Sequence, residues 1–422
     1  MIRSTVASIL FLLLLTIQSG QGTAAAAPAQ PKAKLTRMEG PPFEGVFVRA
    51  DAKELALEGL EAPVGLSTVR ELRFVTDTSP RPLSEGAIGL RVMLRGGDVV
   101  RGALEAATAD DVTIKPLDLG SLRLAFDAIR RIEAEPASRG PCDEPGRARP
   151  ARKGTDLAYV RSGDAFAGTL ADATAAGIVL EGTGTKQSIA WADLVVLHLD
   201  GAEPKPAEGL VAEIETTGGS LLLGTDATGD AEGWHVTLAS GLKVSIPRAG
   251  LAAVRWSGGA FARVETLPYE ATYIPYYTDD GLDRADLVGW YGARADRTPS
   301  GCPLRIAGTT YRHGIAVHAK SLVKIPLGKA YRRFSSAFGI DDEAVTTGAG
   351  TGSKGDVTAR VLVDGKEVWT SNGSVKGGEP ARVVGPIDVS GAETLVLEVD
   401  FGGDQHRLDR ADWADPVLVR AP

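Results

Sequence analysis

Two stretches of the sequence align almost without gaps at a constant offset, and this repetition constrains the fold more than any other feature. Gly97-Asp98 recurs as Gly163-Asp164, Gly102 as Gly168 and Leu104 as Leu170, each pair 66 positions apart. Thr108 and Thr174, Val112 and Ile178, and Ile114 and Leu180 keep the same offset, and after the loss of one residue Phe126, Ile129 and Ile132 match Trp191, Leu194 and Leu197. A looser copy opens with Gly219-Ser220 and Gly224 and continues through Val236, Leu238, Leu251 and Val254. A truncated copy lies upstream, with Gly45, Phe47, Leu55, Leu57, Val69 and Leu72. Four units of about 45 residues are therefore expected before residue 260.

Within a unit, the Gly-Asp dipeptide supplies the positive φ of a tight hairpin. Runs such as Val112-Thr113-Ile114 alternate apolar and polar residues, as a strand with one buried face does. So small a unit buries little alone, so pairing into small barrels or sandwiches is expected. In strand rhythm the units resemble SH3-like or Sm-like barrels. An Sm-type role on RNA is disfavoured, because the net charge is −8, the pI is about 5.4 and no Lys/Arg run forms a phosphate-tracking stripe. A scaffold or spacer is the expected role, without nucleic acid as partner.

The N-terminus reads as a secretory signal peptide over residues 1–26. Arg3 precedes the apolar run Ile9–Ile17, a polar stretch follows, and Ala24–Ala27 offers small residues for cleavage. The run falls short of the roughly 20 apolar residues of a membrane span, and no other stretch suits one. A secreted, periplasmic or cell-surface location is expected. Export permits a disulfide between Cys142 and Cys302, but two such distant cysteines are as easily buried or unpaired. Residues 27–42, 136–153 and 260–282 read as linkers around repeat pairs at 43–135 and 154–259. The last contains Tyr269, Tyr273, Tyr276 and Tyr277 and suits docking against the next domain or an extended strand.

From residue 283 the rhythm changes to eight or so short strands without a convincing helix, including a hairpin at Asp364-Gly365. The whole chain is thus expected to be all-β. Several ordered features stand out: Trp290, Leu304–Gly308, Gly314–Ser321 with His318, and Phe338-Gly339-Ile340-Asp341. Val363-Asp364-Gly365-Lys366, Val389-Ser390-Gly391 and Ala411-Asp412-Trp413-Ala414-Asp415 follow. Together they resemble the NPCBM family. The resemblance implies a galactose-binding-like jelly-roll β-sandwich over 283–422 that binds glycans, galactose-type sugars among them, often attached to glycoside hydrolases. In some members it carries a structural calcium. Arg410 stands where the family usually has a histidine.

Sugar recognition needs an aromatic face for the apolar side of a pyranose and planar polar groups for its hydroxyls. The candidates are Trp290, Trp369, His313, Asn372, His406 and Arg407, whereas Trp413 and His318 read as structural. Asp341, Asp342, Asp409, Asp412 and Asp415 are oxygen donors suited to calcium, and no other cofactor is expected. Gly350–Gly355 spells G-x-G-x-x-G but precedes β-branched Val357 and Thr358 rather than a helix, so it is not a dinucleotide site. No HExxH, G-x-S-x-G or Walker motif is present. The expected function is non-catalytic glycan binding, with the repeats as scaffold. A structural or adhesion protein that binds other proteins, and an accessory subunit of a glycoside hydrolase, are the alternatives.

Overall fold

A computed structural model describes residues 32–38, 40–74, 81–135, 154–182, 184–202, 204–205, 209–276, 289–347, 352, 354–403 and 405–421. The signal-type segment, the stretch 136–153 with Cys142, Tyr277 and half of the Gly350–Gly355 loop lie outside the described residues. Cys302 is buried and disulfide-bonded. No described helix is long and apolar enough to cross a membrane.

Each repeat is a five-stranded antiparallel unit. The second comprises Gly89–Leu94, Val99–Ala107, Asp111–Lys115, Leu122–Ala125 and Ile129–Glu135. The third and fourth run from Asp156–Val160 to Leu194–His198 and from Val211–Thr216 to Leu251–Ser257. The apolar pair that ends each copy in sequence lies on a closing strand that returns to pair with the first. Ile132 faces Val92, Leu197 faces Ala158 and Val254 faces Ile214. Gly97, Gly163 and Gly219 occupy the left-handed region, at φ +97, +96 and +90°, as the hairpin turns require. A register slip recurs in every second strand, between Leu104 and Ala106, Leu170 and Asp172, Gly224 and Asp226, and Phe47 and Arg49. Such a bulge bends a long strand so that it serves both halves of its unit.

The upstream copy is complete rather than truncated. Lys32–Arg37, expected inside the linker 27–42, is its first strand and pairs with both Phe43–Ala50 and Val69–Arg73. Ala33 and Leu35 are fully buried while Lys32 and Lys34 face water, so the lysines lie on the solvent side of an ordinary amphipathic strand. The closing strands also join the copies in pairs: Leu72 faces Val254 across the first and fourth, and Ile132 faces Leu197 across the second and third. Edges that would otherwise present unpaired N–H and C=O groups are thereby covered.

Within 260–276 the tyrosine-rich stretch holds extended strands, one of the two readings open for it. Phe261–Arg263 pairs with Val417–Val419, and Glu270–Tyr273 pairs with Ser321–Lys324. The cause is apolar burial: Phe261, Ala262 and Val264 are all in the core. These two strands join opposite sheets of a C-terminal sandwich. One sheet orders Arg294–Ala295, Gly314–His318, Arg410–Arg420, Tyr331–Ile340 and Arg382–Asp388; the other orders Glu270–Tyr273, Ser321–Pro326, Thr394–Phe401, Asp356–Val363 and Lys366–Thr370. A short helix, Asp342–Thr347, which the strand rhythm did not reveal, starts where Asp341 accepts the Glu343 N–H at 2.7 Å.

Trp413 is fully buried at the sandwich centre, 4.7 Å from the Phe338 ring and 6.2 Å from Trp369. Its strand, Arg410–Arg420, is paired on both sides, so an added void has no free edge to relax into. Trp413→Ala should lower unfolding free energy by about 3–5 kcal/mol in denaturant titration, and a loss below about 1 kcal/mol would contradict its core role.

Candidate functional site

Strand register brings several aromatic side chains to one rim of the sandwich. Tyr273 lies opposite Ser321, Ser321 opposite Val399, and His318 opposite Arg410. The connection Ala319-Lys320 crosses between the two sheets here. The Tyr291 ring sits 4.4 Å from the His318 ring, and Tyr273 lies 5.5 Å from Tyr291. Tyr276 stacks on His406 at 5.4 Å and meets Phe401 edge-on at 4.9 Å. Beside them Trp290 is 58% exposed and Tyr276 40% exposed. An indole left this open at the edge of an aromatic set is costly to hydrate and suits a flat apolar partner.

His318 is the polar centre of the rim. Burial pushes its pKa down to about 4, and its Nδ1–H donates to the Ala319 carbonyl at 2.8 Å, so the neutral ring keeps Nε2 as an acceptor. Arg410 and His406 are its neighbours, and both oppose its protonation. Arg410 is held by Glu343 at 2.5 Å, and Ser300 donates to the same carboxylate. Arg407 is exposed on the adjoining loop. Aromatic faces, an acceptor and guanidinium donors are the chemistry of a polyhydroxylated ring ligand.

The structure places His406 against Tyr276, with Arg407 next in the chain, and Trp290 next to Tyr291; the other candidates lie elsewhere. Trp369 is half-buried against Trp413, and Asn372 sits in a turn at φ +52°. Val399 pairs with Ala359, whose N–H donates to Ser371. That turn therefore lies four strand spacings from Tyr273, about 19 Å, too far for one sugar to touch both. Sequence reasoning missed Tyr291 and Phe401; the Trp290-Tyr291 dipeptide was the available signal for the first.

His313 faces the fourth repeat instead of a sugar. Its Nε2 lies 2.8 Å from Glu213, and its Nδ1 lies 3.3 Å from Glu265 and 3.5 Å from Asp296. Burial opposes its charge, but the carboxylates of Asp296, Glu213 and Glu265 prevail and raise its pKa to about 10. Glu213 is buried too; His313, Arg263 and Arg312 overcome that burial and hold its carboxyl well below the usual range.

Among the described residues, the five expected calcium ligands include no group of three with donor atoms within reach of one ion, although Asp412 neighbours Asp341 and Asp342. Asp341 accepts N–H groups from Arg305 and Glu343, and Asp342 accepts from Gly308. Asp409 accepts the Asp356 N–H at 3.0 Å, and Asp415 pairs with Arg70 at 3.0 Å. Asp412 takes no backbone N–H. Burial, then the neighbouring Asp341 charge, pushes its carboxyl well above the usual range.

These features define a β-sandwich with an open aromatic rim and docked repeats. Residues 277–419 match the NPCBM/NEW2 domain family, so the C-terminal part of the chain carries an NPCBM/NEW2 domain. The chain is 34% identical over 125 residues to an Akkermansia muciniphila protein named alpha-1,3-galactosidase B, covering 29% of this chain and 15% of that protein. It is 30% identical over 166 residues to a Renibacterium salmoninarum protein that bears the name of an endo-alpha-N-acetylgalactosaminidase, covering 38% of this chain and 10% of that protein. The chain therefore aligns with only a small part of either relative. Among solved structures, the CBM51 of Clostridium perfringens GH95 in complex with methyl-galactose is similar at 24% identity and TM-score 0.30, over 38% of this chain and 99% of that one.

Folded Asp412 holds its proton to higher pH than the unfolded chain does. Its stabilising contribution is complete below its ordinary value of 3.8 and is lost as pH rises through the raised folded value. Asp412→Asn removes that loss. Its melting temperature relative to the parent should climb as pH rises above the ordinary carboxyl value of 3.8, and a pH-independent difference would contradict the assignment.

Proposed function

We propose that the sandwich binds a glycan at the aromatic rim, that the repeats form a non-catalytic scaffold, and that the protein works outside the cytoplasm. The observation that carries the reading is Trp290, more than half exposed and next in the chain to Tyr291, whose ring lies 4.4 Å from His318 and 5.5 Å from Tyr273. The NPCBM/NEW2 match supports the same class of ligand. Galactose-type sugars suit such a platform, because their axial hydroxyl leaves one broad apolar ring face to lie on an indole. His318 Nε2 accepts from a hydroxyl while Arg410 or Arg407 donates to one.

A second site on the sandwich is less suited. A shallow groove of about 270 Å³ runs past Thr358, Arg360, Thr370, Glu398 and Asp400. Its charges are already engaged, Arg360 with Glu398 at 2.9 Å and Lys320 with Asp400 at 2.6 Å, and no aromatic side chain lines it. A sugar there would displace ion pairs without gaining a stacking face.

The test is a glycan panel with galactose-, N-acetylgalactosamine-, glucose- and N-acetylglucosamine-configured sugars, followed by calorimetric titration of the best ligand. Trp290→Ala and Tyr276→Ala should each weaken binding at least about tenfold, roughly 1.4 kcal/mol, while the melting temperature barely moves. Silence across the panel with the fold intact would sink the glycan reading in favour of protein adhesion.

A further inference from the structure

The donor atoms of Glu265, Asp296 and His313 all lie within 4.8 Å of one another, away from the aromatic rim. We propose that these three residues form a site for a divalent transition metal of the zinc class, with Glu213 as the outer partner of the imidazole. Nothing in sugar binding calls for them, and Glu213 and Glu265 precede the stretch 277–419 that matches the domain family.

Spacing is the first argument. His313 Nδ1 stands 3.3 Å from a Glu265 oxygen and 3.5 Å from an Asp296 oxygen. Nitrogen and oxygen ligands about 2.0–2.1 Å from a tetrahedral ion are themselves about 3.3–3.5 Å apart.

The second argument is an unmet requirement. The Glu265 side chain is 1% exposed, yet neither of its oxygens makes a hydrogen bond, and His313 Nδ1 makes none either. A buried carboxylate is ordinarily satisfied by donors or by a metal. Here the unsatisfied oxygens sit within ion-pair distance of the ring nitrogen that a metal would use.

The surroundings also match. Glu213 holds His313 Nε2 at 2.8 Å, the carboxylate–histidine arrangement that fixes which nitrogen is free to ligate. An ion on Nδ1 would take the place of the proton there. Asp296 is set at φ +62° and accepts the Gly314 N–H at 3.1 Å, which fixes its carboxylate. Its side chain is 41% exposed, which leaves an entry path and room for a water in the fourth position. One imidazole with two carboxylates favours zinc or cobalt over calcium, which takes oxygen ligands almost alone. An ion bound here would also brace the fourth repeat against the sandwich through Glu213.

The experiment uses tag-free, chelator-stripped full-length protein titrated with Zn²⁺ against a chromophoric chelator, with Co²⁺ as a spectroscopic probe and Ca²⁺ as competitor. The expected result is one equivalent of Zn²⁺, a visible band from four-coordinate Co²⁺, and no displacement by excess Ca²⁺. Asp296→Asn keeps the Gly314 hydrogen bond and the backbone conformation, and should weaken Zn²⁺ at least tenfold. Glu265→Gln serves as a second variant with the same expected loss. Failure to retain Zn²⁺ or Co²⁺, or equal binding by the parent and both variants, overturns the proposal.

Discussion

A buried set of charges at the junction between repeats and sandwich governs the arrangement of the protein. Arg255, on the closing strand of the fourth repeat, reaches Glu71 of the first repeat at 2.9 Å, Glu215 at 2.9 Å and Glu213 at 3.4 Å. Arg312 approaches Glu215 at 3.4 Å, and His313 completes the set from the sandwich side. Removing such ions from water costs several kcal/mol each, and only close pairing offsets the cost. Pulling the sandwich away would cost Glu213 its His313 and Arg312 partners and Glu215 its Arg312 partner. The sequence suggested a module held out on a stalk; these ion pairs make the stalk and the module one body.

The closing strand Arg410–Arg420 carries that constraint to the rim. Asp415 pairs with Arg70 of the first repeat, Trp413 fills the core, and Arg410 stands opposite His318 at the aromatic edge. The path from the docked repeats to the rim is thus six residues of one strand, hydrogen-bonded on both sides. The rim aromatics outside it are anchored separately: Tyr273 by its strand beside Ser321, and Tyr276 by its contact with Phe401. Trp290 is more than half exposed.

Much of this was legible in the sequence, for reasons that differ by element. Gly97, Gly163 and Gly219 had to mark turns because their backbone takes a conformation other residues avoid. Trp413 read correctly as core. Lys32–Arg37 was missed because a strand so rich in lysine shows only two apolar side chains. The stretch 260–282 looked like a linker because its prolines and tyrosines hide Phe261 and Val264, which are core. The site was harder still. Trp290 and His406 stood out by type, but sequence spacing is blind to cross-strand distance, so Trp369 and Asn372 were placed with them although a sheet's width intervenes. His313 looked like a sugar ligand because nothing local shows that Glu213, Glu265 and Asp296 fold around it.

The most direct test of a single body is a double-mutant cycle across the junction. Glu213→Gln, His313→Gln and the double variant would be unfolded in denaturant after removal of metal. A buried pair joining the two parts predicts a coupling energy of about 1.5 kcal/mol or more, with either single change destabilising by roughly 3–5 kcal/mol. Effects that add within about 0.5 kcal/mol would mean that the repeats and the sandwich are independent folds on a tether.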